Sequence, residues 1–236
     1  MIFLIHSALA HKPSFGSYTS EADAFSVKDP EVSIVVYQEI TCDEQQLWLE
    51  LDGEAGMEVY IQGGVPEIER LETYQPTIAL LAPGLPSTDD LPFDVPLGMG
   101  AVVLDPNDEP SEFFEPFTQT HSWIWIEDTL MLPEQGPAYI VGWNDEEWTG
   151  KMWIATGTVE DFSDAGVTEF LEWGEQVNNF HETGRYEIPY PAEEMSCSEE
   201  PISTINQKPS GCQHSNTSYA AFCLLMPFLI FRRESL

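Results

Sequence analysis

Between Glu31 and Thr156 the chain alternates short runs of β-branched and aromatic residues with clusters of Gly, Pro, Asn and Asp. Such a pattern favours strands joined by tight turns and leaves little room for long helices. Leu47, Leu49 and Leu51 alternate with Trp48, Glu50 and Asp52, which is the period of two that places one set of side chains on each face of a strand. Val32–Ile40 is β-branched and aromatic, and Met57, Val59 and Ile61 resume the alternation after Asp52-Gly53 and Gly56. Thr77–Leu81, Ala101–Leu104, Ser122–Leu132, Tyr139–Trp143 and Lys151–Thr156 follow, each closed by turn residues. In Ser122–Leu132, Trp123 and Trp125 should take one face and Ile124 and Ile126 the other. Roughly seven or eight short strands in this arrangement predict a mainly β fold, an antiparallel β-sandwich or jelly roll.

One helix is predicted near the end of this region. Ser163 or Asp164 would cap it, and Val167, Phe170, Leu171, Val177 and Phe180 recur at helical spacing, with Trp173 broadening the stripe. The stripe is read as core, packed on an open side or edge of the sandwich. After Pro189 the composition turns to Pro, Ser, Glu, Thr and Gln, as in an extended stalk.

The charge balance excludes one class of partner. Eight Lys and Arg stand against 41 Asp and Glu, a net charge of −33, which repels nucleic-acid backbones. The acids serve solubility or, in carboxylate-rich loops, Ca²⁺ binding. Hydrophobic content of 42% and aromatic content of 12% place the chain among folded proteins.

Both ends read as export signals. The apolar run of residues 1–10 finishes in Ala8-Leu9-Ala10, a small-x-small cleavage pattern, and is short and without the usual basic start, so it reads as a truncated signal peptide. Cleavage after Ala10 leaves His11 as the mature N-terminus. Residues 11–190 form the acidic β domain, 191–211 the stalk and 212–236 the C-terminal signal. The apolar run Tyr219–Phe231 precedes Arg232-Arg233. As a helix it reaches about 20 Å, a short transmembrane segment, and the arginines should stay cytoplasmic. Cys42 and Cys197 both fall in the exported region, and the sequence leaves open whether they pair. No two of the four cysteines form a CxxC pair, which disfavours zinc.

The order Gly211-Cys212, apolar run, Arg232-Arg233 resembles the MYXO-CTERM type of tripartite sorting signal found on bacterial surface proteins. That resemblance covers the last residues only and implies that Cys212 is where the chain is processed and handed to the cell surface. The strand pair Gly136–Trp143 and Thr149–Ile154 is similar to the C-terminal strands of bacterial pre-peptidase-type β-sandwiches, which are accessory, non-catalytic domains of secreted proteins.

Candidate chemistry is sparse. A mature His11 could bind copper through its amino group and imidazole if a second imidazole converged, with His121 the candidate in the strands and His181 at the helix end. Asp105 and Asp108 in one acidic loop, and Asp145 in another, offer oxygen ligands for calcium without EF-hand spacing. G-x-S-x-G, H-E-x-x-H and Walker A motifs are absent. Of Trp123, Trp125, Trp143, Trp148 and Trp153, which could form a carbohydrate platform, Trp148 is the one expected at the surface. The reading is a secreted, surface-anchored, non-catalytic β-sandwich that needs no cofactor and whose partners are the membrane and a protein or carbohydrate ligand. The alternatives are a copper- or calcium-binding surface protein and a secreted hydrolase.

Overall fold

A computed structural model describes residues 11–88, 90–185 and 197. All of them fall in the first of two compact units, Met1–Glu200; the second, Pro201–Leu236, lies outside the described residues. The fold is mainly β, two sheets in a sandwich-like arrangement with one helix.

The strands are β1 (Lys12–Phe15), β2 (Phe25–Val27), β3 (Ile34–Ile40), β4 (Gln46–Gly53), β5 (Glu58–Pro66), β6 (Thr77–Pro83), β7 (Met99–Leu104), β8 (Ser111–Glu115), β9 (Thr120–Met131), β10 (Gly136–Trp143) and β11 (Gly150–Thr156), followed by helix α1 (Val167–Phe180). The first sheet runs β1-β3-β11-β5-β9-β8 and the second β2-β4-β10-β6-β7. All neighbours pair antiparallel except β1 with β3 and β2 with β4, which are parallel. These two edge pairings depart from the antiparallel expectation. Short strands such as β1, β2 and β8 carry too few residues to show a period, so the sequence pattern passes over them.

Inward-facing side chains of both sheets form the main core. Leu47, Leu49 and Leu51 of β4 meet Val59 and Ile61 of β5 and Ile154 of β11 there, all at 2% exposure or less. Burying side chains of this size stabilises the fold by about 1.5–3 kcal/mol each. The outer faces are covered too. On the second sheet Trp48, Tyr139 and Trp143 pack under Phe93. On the first sheet Val35, Ile124, Trp153 and Ala155 pack with Phe180 of α1. Central strands such as β6 and β10 are therefore apolar on both faces, whereas on the outer face of β4 Trp48 is buried, Gln46 and Glu50 are half-buried and Asp52 is exposed.

β9 breaks the expected alternation. Its register with β5 slips at Gly63/Gly64, so that Gly63 faces Ile126 and Gly64 faces Ile124. Trp125 is the extra residue, and Trp123, Trp125 and Ile126 all join the inter-sheet core, leaving Ile124 on the outer face.

The helix departs from expectation at its start. Gly166 is the N-cap and its N–H donates to the Glu169 carboxylate at 2.7 Å. Asp164 instead pairs with Lys12 at 2.7 Å, and Ser163 donates its N–H to Asp161. Val167 and Leu171 are 79% and 71% exposed, so the predicted apolar stripe is core only in its C-terminal half, at Val177 and Phe180. Lys151, 3% exposed on β11, fixes that half: its Nζ donates to the Phe180 carbonyl at 2.9 Å and pairs with Glu182 at 2.9 Å. Glu182 in turn takes a two-pronged pair from Arg70, at 2.8 and 2.5 Å.

Cys42 and Cys197 form a disulfide with Cα atoms 5.3 Å apart, and the Cys197 N–H donates to the Glu147 carbonyl. Cys197, which falls in the stretch read as a stalk, is thus bonded to the β body. Among the described residues no helix is long and apolar enough to cross a membrane. Ala10, Cys212 and the apolar C-terminal run lie outside the described residues.

Candidate functional site: a cavity beneath the helix

Helix α1 packs over the outer face of the first sheet without filling the space between them. The remaining cavity measures about 150 Å³. The sheet supplies Val35 and Tyr37 from β3, Trp153 from β11, Gln62 from β5, Thr120 and Ser122 from β9, and Phe113 and Glu115 from β8. These residues alternate along their strands, as one face of a pleated sheet requires. The helix supplies Phe170, Trp173 and Val177, with His181 just past its end. Phe117 and Phe162 complete the rim from loops, and His11 stands at the entry to β1.

The rings of the rim meet at steep angles. Phe170 lies 5.7 Å from Phe117 at 71° and 5.3 Å from Trp173 at 76°. Edge-to-face packing of this kind is favourable.

The polar groups of the cavity are mostly satisfied by one another. The Thr118 and Thr120 hydroxyls lie 2.8 Å apart. His181 Nδ1 is 2.8 Å from the Val177 carbonyl, so that nitrogen carries the proton, and Nε2 accepts from the Ser122 hydroxyl at 3.1 Å. His11 Nδ1 lies 2.5 Å from the buried Ser33 hydroxyl. Burial pushes both imidazoles down to about 4; Glu160 opposes this at His11, and at His181 the Val177 carbonyl opposes it while Lys151 and His121 add to it. Both rings are neutral at pH 7. Burial raises the Glu115 carboxyl, against the Phe117 N–H and together with Glu160. Burial, and secondarily Glu115, raises the Tyr37 hydroxyl. The Trp153 indole N–H is buried with no partner among the described residues.

Ser122 and His181 have the outline of a nucleophile and base. Two features weigh against acyl transfer. A ring held near 4 is a poor base at neutral pH. Ser122 also stands in mid-strand between β5 and β8, not at a turn or helix N-terminus where backbone N–H groups converge.

The sequence-derived metal ligands are not brought together. His121 is exposed, faces Glu67 at 3.7 Å and packs on Phe114. His11 and His181 share the cavity, but their serine partners precede β3 and lie on β9, strands separated by β11 and β5. Three ladder steps span about 14 Å, far beyond the ~3 Å between two ligands of one ion. Asp105 and Asp108 are exposed in the loop after β7. Asp145 accepts from Thr77 at 2.8 Å and from the Trp143 indole at 2.5 Å, which ties its loop to β6. Among the described residues no group of three or more His, Cys, Asp or Glu is arranged to hold a metal ion.

The tryptophans also fall differently. Trp125, Trp143 and Trp153 are each 4% exposed, Trp123 is half-buried, and Trp148 packs against the inter-sheet core, because the Asn144 side-chain carbonyl accepts the Trp148 N–H and folds its turn inward. Trp173, half-buried like Trp123 and Trp148, lies at the cavity rim. Tyr37, Glu115, Phe117 and Phe162 were not singled out by sequence. Phe117 and Phe162 carry a signal, aromatic residues in otherwise acidic loops, that becomes readable only once the helix is placed; Tyr37 on β3 and Glu115 on β8 carry none.

Compared with models of protein families and with curated protein sequences, the chain matches none.

Proposed function

We propose that this chain is an exported, non-catalytic β-sandwich protein that holds a small ligand in the cavity between the first sheet and α1, with its C-terminal segment serving as surface anchor. The observation that carries the binding role is the cavity itself: apolar and aromatic walls, a few convergent polar groups and a lid formed by α1. Export draws support from the Cys42–Cys197 disulfide, since such bonds persist in oxidising compartments. The two-sheet body is the kind of scaffold that accessory sandwich domains use, and the Cys212 sorting reading rests on sequence.

The test is ligand-dependent quenching of tryptophan emission in the full chain, followed by the same titration in Val177→Phe, which fills the cavity from its helical wall. Saturable quenching that disappears in the variant supports the reading. Quenching that survives unchanged places binding elsewhere and defeats it. A hydrolytic reading is favoured by one observation, the Ser122–His181 hydrogen bond. Covalent labelling of Ser122 by a fluorophosphonate would support that second reading, and an unlabelled chain would dismiss it.

A further inference from the structure

The charge and ring content of the cavity go further than its shape. Its lining includes Glu115 and no lysine or arginine. One Glu115 oxygen accepts the Phe117 N–H at 2.8 Å, and among the described residues no cation pairs with this carboxylate. A second acid, Glu160, acts on it through charge and also acts on His11. The same cavity is lined by Tyr37, Phe113, Phe117, Phe162, Phe170 and Trp173. A cation already uses one of these rings: Lys12 Nζ lies 5.9 Å from the Trp173 ring centre.

The geometry points to a small organic cation bearing a methylated ammonium group as the ligand, held by the aromatic rim with Glu115 as counter-charge; this rests on reading the cavity as a ligand site. Three arguments select it. An anion would meet an unpaired carboxylate and neutral imidazoles inside a chain of net charge −33, whose field repels it from the start. A primary ammonium is compact and strongly hydrated and would need three hydrogen-bond acceptors, whereas these walls are mostly aromatic and apolar and Glu115 keeps one carboxylate oxygen without a partner among the described residues. A trimethylammonium group needs none: its surface is apolar and its diffuse charge is attracted by ring faces. At about 150 Å³ the space suits a head group of that size.

The experiment uses three molecules of one shape and three charges. They are choline, the neutral alcohol in which a tert-butyl group replaces trimethylammonium, and the tert-butyl carboxylate of the same length. Each is titrated calorimetrically into the full chain at about 150 mM salt, so that bulk charge is screened. Choline should bind at least about tenfold more tightly than the alcohol, and the carboxylate should not bind. Glu115→Gln should remove the advantage of choline and leave the affinity for the alcohol unchanged. Trp173→Leu should weaken choline more than the alcohol. If the alcohol binds as tightly as choline, or Glu115→Gln leaves choline unaffected, the cation assignment falls while the cavity remains a ligand site. If none of the three binds saturably, both fall.

Discussion

His181 takes its character from burial, and that makes it a source of pH dependence even without a catalytic part. Its ring is 7% exposed, and its pKa drops from 6.5 to about 4 in the folded chain. The unfolded chain therefore takes up a proton near pH 6.5 that the folded chain refuses until about pH 4. Stability is undiminished above that window, is lost as pH falls through it, and changes no further below it. The loss amounts to about 3 kcal/mol. Glu182 acts in a different window: burial alone would raise it, but Arg70 and Lys151 outweigh this and lower it, so its contribution is present above the ordinary carboxylate range and disappears beneath it. His181→Gln can keep partners for Ser122 and the Val177 carbonyl while removing the titration. Urea unfolding at pH 7.5 and pH 4.5 should show the parent losing about 2.5 kcal/mol more than the variant, most of the full loss. Equal losses in both would mean that His181 is not held neutral by the fold.

At the scale of single elements, two glycines separate the sheet from the helix. A Cβ on Gly64 would lie 2.2 Å from the Trp123 carbonyl oxygen and 2.6 Å from the Trp153 ring. The first of these is backbone at the bulge and cannot swing aside, so Gly64→Ala should cost about 3 kcal/mol. Gly174, in the middle of α1, has nothing within 4 Å of the same position, and Gly174→Ala should gain up to about 1 kcal/mol through helix propensity alone. Opposite shifts in urea midpoint would confirm both; a tolerated Gly64→Ala would mean that β5 and β9 can be paired in another register. The same contrast explains what could be read in advance. Leu47, Leu49 and Leu51 announce β4 because core burial repeats every second residue. The bulge at Trp125 does not show in sequence, since an extra residue looks like any other member of an apolar run. Val167 and Leu171 imitate a buried stripe because helical spacing records which residues share a face and not whether anything covers that face. The cavity was the least legible feature: Tyr37, Glu115 and Trp173 lie far apart in the chain and meet only through the β3-β11-β5-β9-β8 order. Cys42 and Cys197 were legible as residues, but their pairing depended on Cys197 meeting the β body.

Across the whole molecule, cross-linking and charge oppose each other. The disulfide joins positions 155 residues apart, so β4 to β11 and α1 lie inside its loop while β1, β2 and β3 precede it. Closing a loop of that length removes unfolded-state entropy equivalent to about 5 kcal/mol on the chain-entropy account. Against this stands the self-repulsion of a chain carrying −33, which compaction intensifies. Salt should relieve the second effect and leave the first alone, because the Debye length shrinks from about 8 Å at physiological ionic strength to about 3 Å at 1 M. The Cys42→Ser, Cys197→Ser double variant should therefore be less stable than the parent by about 4–5 kcal/mol at low salt. Adding sodium chloride should raise the urea midpoint of both proteins in parallel, with the denaturant slope unchanged. Parallel rises would show that repulsion is a property of the compact state. A rise confined to the variant would instead mean that the disulfide restrains a segment which charge otherwise drives off the β body, and the site of that restraint would be the stretch around Cys197.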